Sequence, residues 1–192
     1  MKLVFASNNA HKLAEVRAIL SDHEVLSLHD VGFEQEIEET GETLEANSLI
    51  KAQTVSTWLQ QHNLQFWVFA DDTGLEISAL GGKPGVYTAR WAGEPSNPAN
   101  NRHKALVELA GKTNRTARFR TVITLIKEGE VTQVEGIVNG SIAFEEYGEG
   151  GFGYDPIFIP TGHEQTFAQL PTEIKNSISH RARAMAALKQ IL

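Results

Sequence analysis

Two adjacent carboxylates, Asp71 and Asp72, are the residues of this sequence best suited to acid–base or metal chemistry. They follow the apolar run 66–70, whose large side chains predict a buried strand, and they precede Gly74, which predicts a turn. In α/β proteins, carboxylates at the end of a buried strand commonly bind a divalent cation or act as a catalytic base. A strand that simply ends in solvent would also place acidic residues here. Other motifs must therefore distinguish a functional site from an ordinary strand end.

The tripeptide Asp72-Thr73-Gly74 matches the active-site tripeptide of aspartic proteases. Such a protease is essentially all β, and one with a single tripeptide must dimerise to pair its aspartates. Long helical patterns flank the strand here, so the sequence argues against a protease. A hard-cation site built from Asp72 and Glu39 fits better, because Mg²⁺ commonly takes one or two carboxylates together with substrate phosphates.

A polar segment follows the first predicted strand, 2–7, and opens a helix with an apolar stripe. Free N–H groups and the positive end of the helix dipole suit phosphate at such a position, and Lys12 adds a point charge. The spacing is not that of a P-loop. An ordinary helix cap with a solvated lysine would look the same. The residues of this candidate phosphate site are Ser7, Asn8, Asn9, Ala10, His11 and Lys12.

The second predicted helix, over 44–59, carries Asn47 and Lys51 four residues apart, which puts both side chains on one helix face. Glu39 lies just before this helix, where it could turn into a cleft, although solvated acids before a helix would be equally natural. Lys12 and Lys51 are predicted to be lysines on a helix surface. Replacing either should therefore change the free energy of unfolding by no more than about 0.5 kcal/mol.

Two later motifs are suited to a planar ligand. Glycines on both sides of Phe152 would let such a ligand lie against its ring, but a glycine-rich turn with Phe152 and Tyr154 in the core is the alternative. The donor-rich segment 175–181 is predicted to open the last helix. Basic residues at a helix start are electrostatically unfavourable, which favours an anionic or acceptor-bearing partner there.

The pattern of elements favours a mixed α/β fold in one domain of 192 residues. Strands and helices alternate around one long hairpin, predicted from the β-rich segments 115–126 and 131–144. The absence of cysteine excludes disulfides, thiolate metal sites and a cysteine nucleophile.

The formal net charge of −7 argues against nucleic-acid or anionic-membrane partners, which usually require a basic face. This net charge is still compatible with a small polyanionic ligand, because a few lysines and a cation can hold a triphosphate on an acidic protein. No segment approaches the roughly 18 apolar residues needed to span a membrane, and the N-terminus lacks the apolar run of a signal peptide. We therefore expect a cytoplasmic protein.

Taken together in this order, the motifs resemble those of the inosine triphosphate pyrophosphatase family, house-cleaning enzymes also called XTP/dITP diphosphatases. The resemblance covers essentially the whole chain. The motifs that carry it are 7–12, Glu38-Glu39-Thr40-Gly41, 70–76, 80–90, 150–158 and Ser179-His180-Arg181. Departures are mild: Asn8 and Ala182 stand where the family often has glycine, and 145–148 lacks a proline often seen before the glycine loop.

The resemblance implies an elongated two-lobed α/β fold, with a twisted mixed β-sheet flanked by helices, a nucleotide cleft between the lobes, and a homodimer. It implies hydrolysis of the non-standard purine nucleoside triphosphates ITP, dITP and XTP to monophosphate plus pyrophosphate. Glu39 and Asp72 would hold Mg²⁺, and Asp72 would also take the proton from the attacking water. Asp71 would support this site or bind a second metal.

The implied substrate-binding residues fall into two groups. Those for the phosphates are Ser7 to Lys12, Lys51, Lys175 and the hydroxyl of Thr73. Those for the base are Phe152, Gly153, Tyr154, Asp155, His180 and Arg181, with Phe152 stacking on the base and the last three reading its edge. Donors that pair with a 6-oxo group would leave ATP mispaired, and the rejection of GTP must then depend on the 2-position.

Two other functions stay open at this point. A related pyrophosphatase with a different base preference would have a similar architecture. A catalytically silent nucleotide-binding regulator would keep the phosphate site and lose a metal carboxylate, whereas this sequence has both Glu39 and Asp72.

Overall fold

Strands and helices alternate along the chain in a computed structural model that describes residues 2–192. The helices are α1 (Ala10–Ile19), α2 (Leu44–Gln61), α3 (Pro98–Glu108), α4 (Thr172–Ile178) and α5 (His180–Lys189). The strands are β1 (Lys2–Phe5), β2 (Glu24–Leu26), β3 (Trp67–Ile77), β4 (Lys83–Gly85), β5 (Thr116–Lys127), β6 (Glu130–Ile142) and β7 (Phe158–Pro160). None of the helices within 2–192 combines the length and apolar character needed to cross a bilayer.

In the described part of the chain, the strands form one seven-stranded sheet in the order β2-β1-β3-β5-β6-β7, with β4 beside β3. β1 pairs in parallel with β2 and with β3, so that Val4 lies opposite both Leu26 and Val68. β4 pairs antiparallel with β3, and β7 pairs antiparallel with β6. A sheet with both strand orientations, flanked by helices, is the mixed α/β fold that the sequence predicts.

The predicted hairpin is present as β5 and β6, which are neighbours in the sheet. The two residues that connect them, Glu128 and Gly129, have φ angles of 53° and 88°. Positive φ at both central residues is the requirement of a type I′ turn, whose twist matches that of the flanking strands.

The expectation that the strand ends at Asp71 and Asp72 is wrong, because β3 continues through them to Ile77. Its second half pairs with β4, where Leu75 lies opposite Gly85. Leu75 and Ile77 are fully buried, so the apolar residues after Gly74 extend the same strand. Successive side chains of a strand point to opposite faces, and the two aspartates therefore meet different neighbours.

The last helical segment also differs from its prediction. Residues 175–181 do not open one helix: Lys175 lies within α4, and Ser179 is extended, with φ −65° and ψ 158°. His180 and Arg181 begin α5. Each of these side chains is buried, so they lie in the interior and not in a solvated helix start.

The chain divides into two compact units. Unit 1 comprises 2–72, 121–136 and 182–192, and unit 2 comprises 73–120 and 137–181. Unit 1 has two apolar clusters, of which the main members are Leu3, Phe5, Val16, Phe69, Ile123 and Met185 in one, and Val4, Leu28, Val55, Leu59 and Val68 in the other. The cluster of unit 2 includes Leu75, Leu109, Phe119, Ile157, Phe158 and Phe167.

Candidate functional site

Lys51 lies between two of the predicted metal-binding carboxylates in unit 1. Its Nζ donates to Glu39 Oε1 at 3.0 Å and to Asp72 Oδ1 at 3.2 Å. Burial raises the pKa of Asp72 above its ordinary value, because the nearby ammonium groups of Lys51 and Lys12 offset the loss of hydration only in part. Burial alone would lower the pKa of Lys51, but the surrounding carboxylates outweigh it and raise that pKa, so the lysine stays protonated.

Asp71, on the other face of β3, pairs with the lysine of the polar segment that follows β1. Lys12 Nζ donates to Asp71 Oδ1 at 2.9 Å, and the aspartate side chain is fully buried. Asp71 therefore has a clear structural role as the counter-ion of Lys12. This pairing holds the lysine, and with it the first turn of α1, against the sheet.

Glu39 is fixed by the turn that precedes α2. The backbone N–H of Gly41 donates to Asn47 Oδ1 at 2.8 Å, and Asn47 is completely buried. A Cβ at Gly41 would lie 2.6 Å from that same oxygen, so only glycine allows this approach. The helix face shared by Asn47 and Lys51 thus has two roles. Asn47 accepts a hydrogen bond from the turn, and Lys51 donates one to Glu39.

The polar segment before α1 is a capped helix start. The side chain of Asn9 accepts from Lys12 N at 3.1 Å, and Ser7 Oγ accepts from Asn9 N at 3.2 Å. This is the helix cap that the sequence left open as an alternative. It does not exclude phosphate, because Asn8, Asn9, Ala10 and His11 are exposed at the N-terminal end of the helix dipole.

One oxygen of this site is suited to a metal ion. Asp72 Oδ2 is buried and makes no hydrogen bond, although such an atom ordinarily has a partner. A hard cation would satisfy it, with Glu39 as the neighbouring carboxylate. No three His, Cys, Asp or Glu side chains among residues 2–192 are grouped to hold a metal by themselves. A cation here would therefore complete its coordination with water and phosphate oxygens, as Mg²⁺ commonly does.

In unit 2 the predicted base-binding residues cluster around Phe152. Asp155 Oδ2 accepts from the backbone N–H of Phe152 at 2.7 Å and from Lys175 Nζ at 2.8 Å. Lys175 Nζ lies 4.7 Å from the centroid of the Phe152 ring, and the guanidinium carbon of Arg181 lies 5.6 Å from it. A Cβ at Gly151 would lie 2.1 Å from Asp155 Oδ2, so this close arrangement requires glycine.

These contacts bear on two predicted roles. Lys175 is predicted to bind phosphate, and its ammonium lies against Asp155 and the Phe152 ring, beside the predicted base-binding residues. Tyr154 is buried and donates its hydroxyl to the Thr88 carbonyl at 2.9 Å, and burial raises the pKa of this hydroxyl. Tyr154 is therefore a core residue, which was the alternative that the sequence left open.

His180 and Arg181 are almost completely buried at the start of α5. The imidazole of His180 stacks on the ring of Phe119, with centroids 4.6 Å apart and an interplanar angle of 20°. Sequence reasoning missed Phe119, because an alternating strand such as β5 gives no sign of which core residue lies beneath a histidine. Thr73, at the start of the unit 2 part of β3, is half-buried, as is Gly153.

Comparison with known proteins agrees with the mixed α/β fold. A profile of the Ham1 family matches residues 3–191. A dITP/XTP pyrophosphatase of Flavobacterium johnsoniae is 47% identical, covering 100% of this chain and 98% of its own. The dITP/XTP pyrophosphatase of Bacillus subtilis is 46% identical, covering 98% of this chain and 96% of its own. The solved structure of the Staphylococcus aureus Ham1 protein has a TM-score of 0.88 at 39% identity, covering 100% of this chain and 97% of its own.

The fold and the site thus define a mixed α/β protein in which Lys51 pairs with Glu39 and Asp72. The chain belongs to the Ham1 family.

Proposed function

We propose that this protein is a nucleoside triphosphate pyrophosphatase that hydrolyses ITP, dITP and XTP to the monophosphate and pyrophosphate. The proposal rests mainly on Asp72, whose buried Oδ2 makes no hydrogen bond and whose Oδ1 accepts from Lys51. Relatives of this chain are named dITP/XTP pyrophosphatases, which agrees with such a site. Residues 1–192 form one pyrophosphatase domain in this proposal.

Unit 1 supplies the phosphate and reaction chemistry. Water attacks the α-phosphorus, Asp72 takes its proton, and the bond to the β-phosphate oxygen breaks to release pyrophosphate. The raised pKa of Asp72 suits this role, because a more basic carboxylate accepts a proton more readily. Lys51, Lys12 and the exposed donors of 7–11 neutralise and orient the phosphates. Mg²⁺, held by Glu39 and Asp72, would supply charge neutralisation of the polyphosphate.

Unit 2 supplies base recognition. Phe152 presents a half-buried ring for stacking, fixed by Asp155 and by the cations of Lys175 and Arg181. His180 and Arg181 donate to the 6-oxo group of hypoxanthine or xanthine. Adenine presents an amino donor there and would leave these buried donors unpaired, which is a strong basis for rejection.

From the family resemblance and the composition, we also propose that the protein is a cytoplasmic homodimer. We propose that it has no nucleic-acid or membrane partner. Large apolar side chains exposed in unit 2, with Phe144 79% exposed, are compatible with a subunit interface. Light scattering at defined concentration would measure the oligomeric state.

Pyrophosphate release from ITP, XTP, dITP, GTP and ATP, measured with Mg²⁺ and with EDTA, tests the activity directly. We expect rapid release from the first three substrates, slow release from GTP and ATP, and none in EDTA. Phosphorus NMR should show pyrophosphate and monophosphate as the primary products. Orthophosphate and a nucleoside diphosphate as first products would overturn the proposed reaction.

A further inference from the structure

Arg102, on α3, makes two contacts with the segment that carries Phe152. Its Nη1 donates to the carbonyl oxygen of Gly153 at 2.9 Å. Its Nε lies 2.9 Å from Glu146 Oε2, and the arginine side chain is only 16% exposed. One guanidinium therefore joins two points of the same loop, and one of them, Gly153, is the residue directly after Phe152.

The Phe152 loop, defined as residues 144–154, needs such connections because it has neither helix nor strand. Its glycines 148, 151 and 153 all have positive φ, and a chain with this freedom has many alternative conformations. Other connections fix its remaining parts: Tyr147 N donates to Pro156 O at 2.9 Å, and Gly150 N donates to Ala168 O at 3.2 Å. Asp155 N donates to Phe152 O at 3.1 Å, and the Arg102 contact adds a bond to the next carbonyl oxygen, that of Gly153.

We propose that Arg102 is a positioning residue for purine binding, which acts by holding Phe152 in its stacking position. This inference rests on the proposed function, in which Phe152 stacks on the base. Arginine suits the role because its planar guanidinium donates to the Gly153 carbonyl while its charge pairs with the Glu146 carboxylate. Lysine offers a single point charge and would keep one of the two contacts.

Loss of Arg102 should have a distinctive kinetic signature. Stacking on Phe152 is available to any purine, so Arg102→Met should lower kcat/KM for ITP and ATP by the same factor, about three- to tenfold. The loss should come from KM, since the catalytic carboxylates belong to unit 1. By contrast, changes at His180 or Arg181 should alter the ITP to ATP ratio. Arg102→Lys and Glu146→Gln should each give part of the Arg102→Met effect.

A matched control exists in unit 1. Arg17 also joins a carbonyl and a carboxylate, with Nε donating to Val25 O at 3.0 Å and Nη2 to Asp30 Oδ2 at 2.9 Å. Arg17→Met removes the same kinds of contact far from the Phe152 loop in sequence and should leave KM unchanged. Thermal melting of each variant shows whether it is folded.

A double-mutant cycle tests whether Arg102 acts through Phe152. In Phe152→Ala the ring is already absent, so adding Arg102→Met should raise KM little further. The inference is overturned if Arg102→Met and Glu146→Gln keep the wild-type KM, if their loss falls on kcat alone, or if the two substitutions of the cycle are additive. Absence of pyrophosphate release from the wild-type protein would instead overturn the proposed function. Should Arg102→Met not fold, Arg102→Lys and Glu146→Gln decide the question by the same criteria.

Discussion

Replacing Lys51 by methionine should destabilise the protein far more than removing an exposed lysine. The Lys51 and Asp72 side chains are only 9% and 10% exposed. Methionine at position 51 would leave the carboxylates of Glu39 and Asp72 without the Lys51 ammonium. Removing one partner of a buried ion pair costs about 3–5 kcal/mol. Since Glu39 is 32% exposed and water can reach it, we expect the lower end, about 3 kcal/mol. This replaces the expectation of about 0.5 kcal/mol for a surface lysine.

Lys2 provides the matched control. Its ammonium lies 3.1 Å from Glu24 Oε1, a distance like those of Lys51, but both side chains are 55% exposed. Such surface pairs contribute about 0–1 kcal/mol. In a chain of this size, 1 kcal/mol corresponds to about 2–4 °C in Tm. Lys51→Met should therefore lower Tm by about 6–12 °C, and Lys2→Met by at most about 4 °C.

Calorimetry of both variants in EDTA measures these differences. Equal losses for the two lysines would refute the argument that burial determines what each ion pair contributes. A second series in Mg²⁺ tests the metal assignment, because a bound cation would neutralise the same carboxylates and recover part of the Lys51→Met loss. Without such recovery the metal assignment would be wrong, while the ion-pair argument would stand.

Three further predictions concern the reaction and the base. Asp72→Asn should lower kcat by at least about a hundredfold, because an amide cannot take the proton from the attacking water. Near wild-type turnover in a folded Asp72→Asn variant would contradict this prediction. His180→Ala and Arg181→Ala should each lower kcat/KM for ITP about ten- to a hundredfold and for ATP much less, consistent with a lost charge-assisted hydrogen bond; an unchanged ITP to ATP ratio would place base recognition elsewhere. Gly151→Ala should raise KM for all purines and lower Tm, because its Cβ would lie 2.1 Å from Asp155 Oδ2 at a φ of 71°; wild-type values of both would show that the loop adapts freely.

The order of the motifs was enough to predict the family, the mixed α/β fold and the long hairpin. These follow from local patterns: apolar periodicity identifies β1, α2 and β5, and the capping residues mark where the helices begin. Glu39, Lys51 and Asp72 could also be singled out, since carboxylates and a lysine beside predicted elements have recognisable chemistry. Local patterns carry this information because the geometry of a helix or strand fixes which sequence positions share a face, so the spacing of apolar residues reveals the element.

The sequence could not predict which partner each of these side chains would have. Lys51 reads as a surface lysine on a helix, yet its ammonium is buried between Glu39 and Asp72. Asp71 and Asp72 read as one carboxylate pair, but the continuing strand turns them to opposite faces, where Asp71 pairs with Lys12. Phe119 beneath His180, and Arg102 beside Gly153, are likewise known only from the folded chain. Burial and pairing join residues from distant parts of the chain, so the tertiary structure alone decides them, and with them the pKa of Asp72.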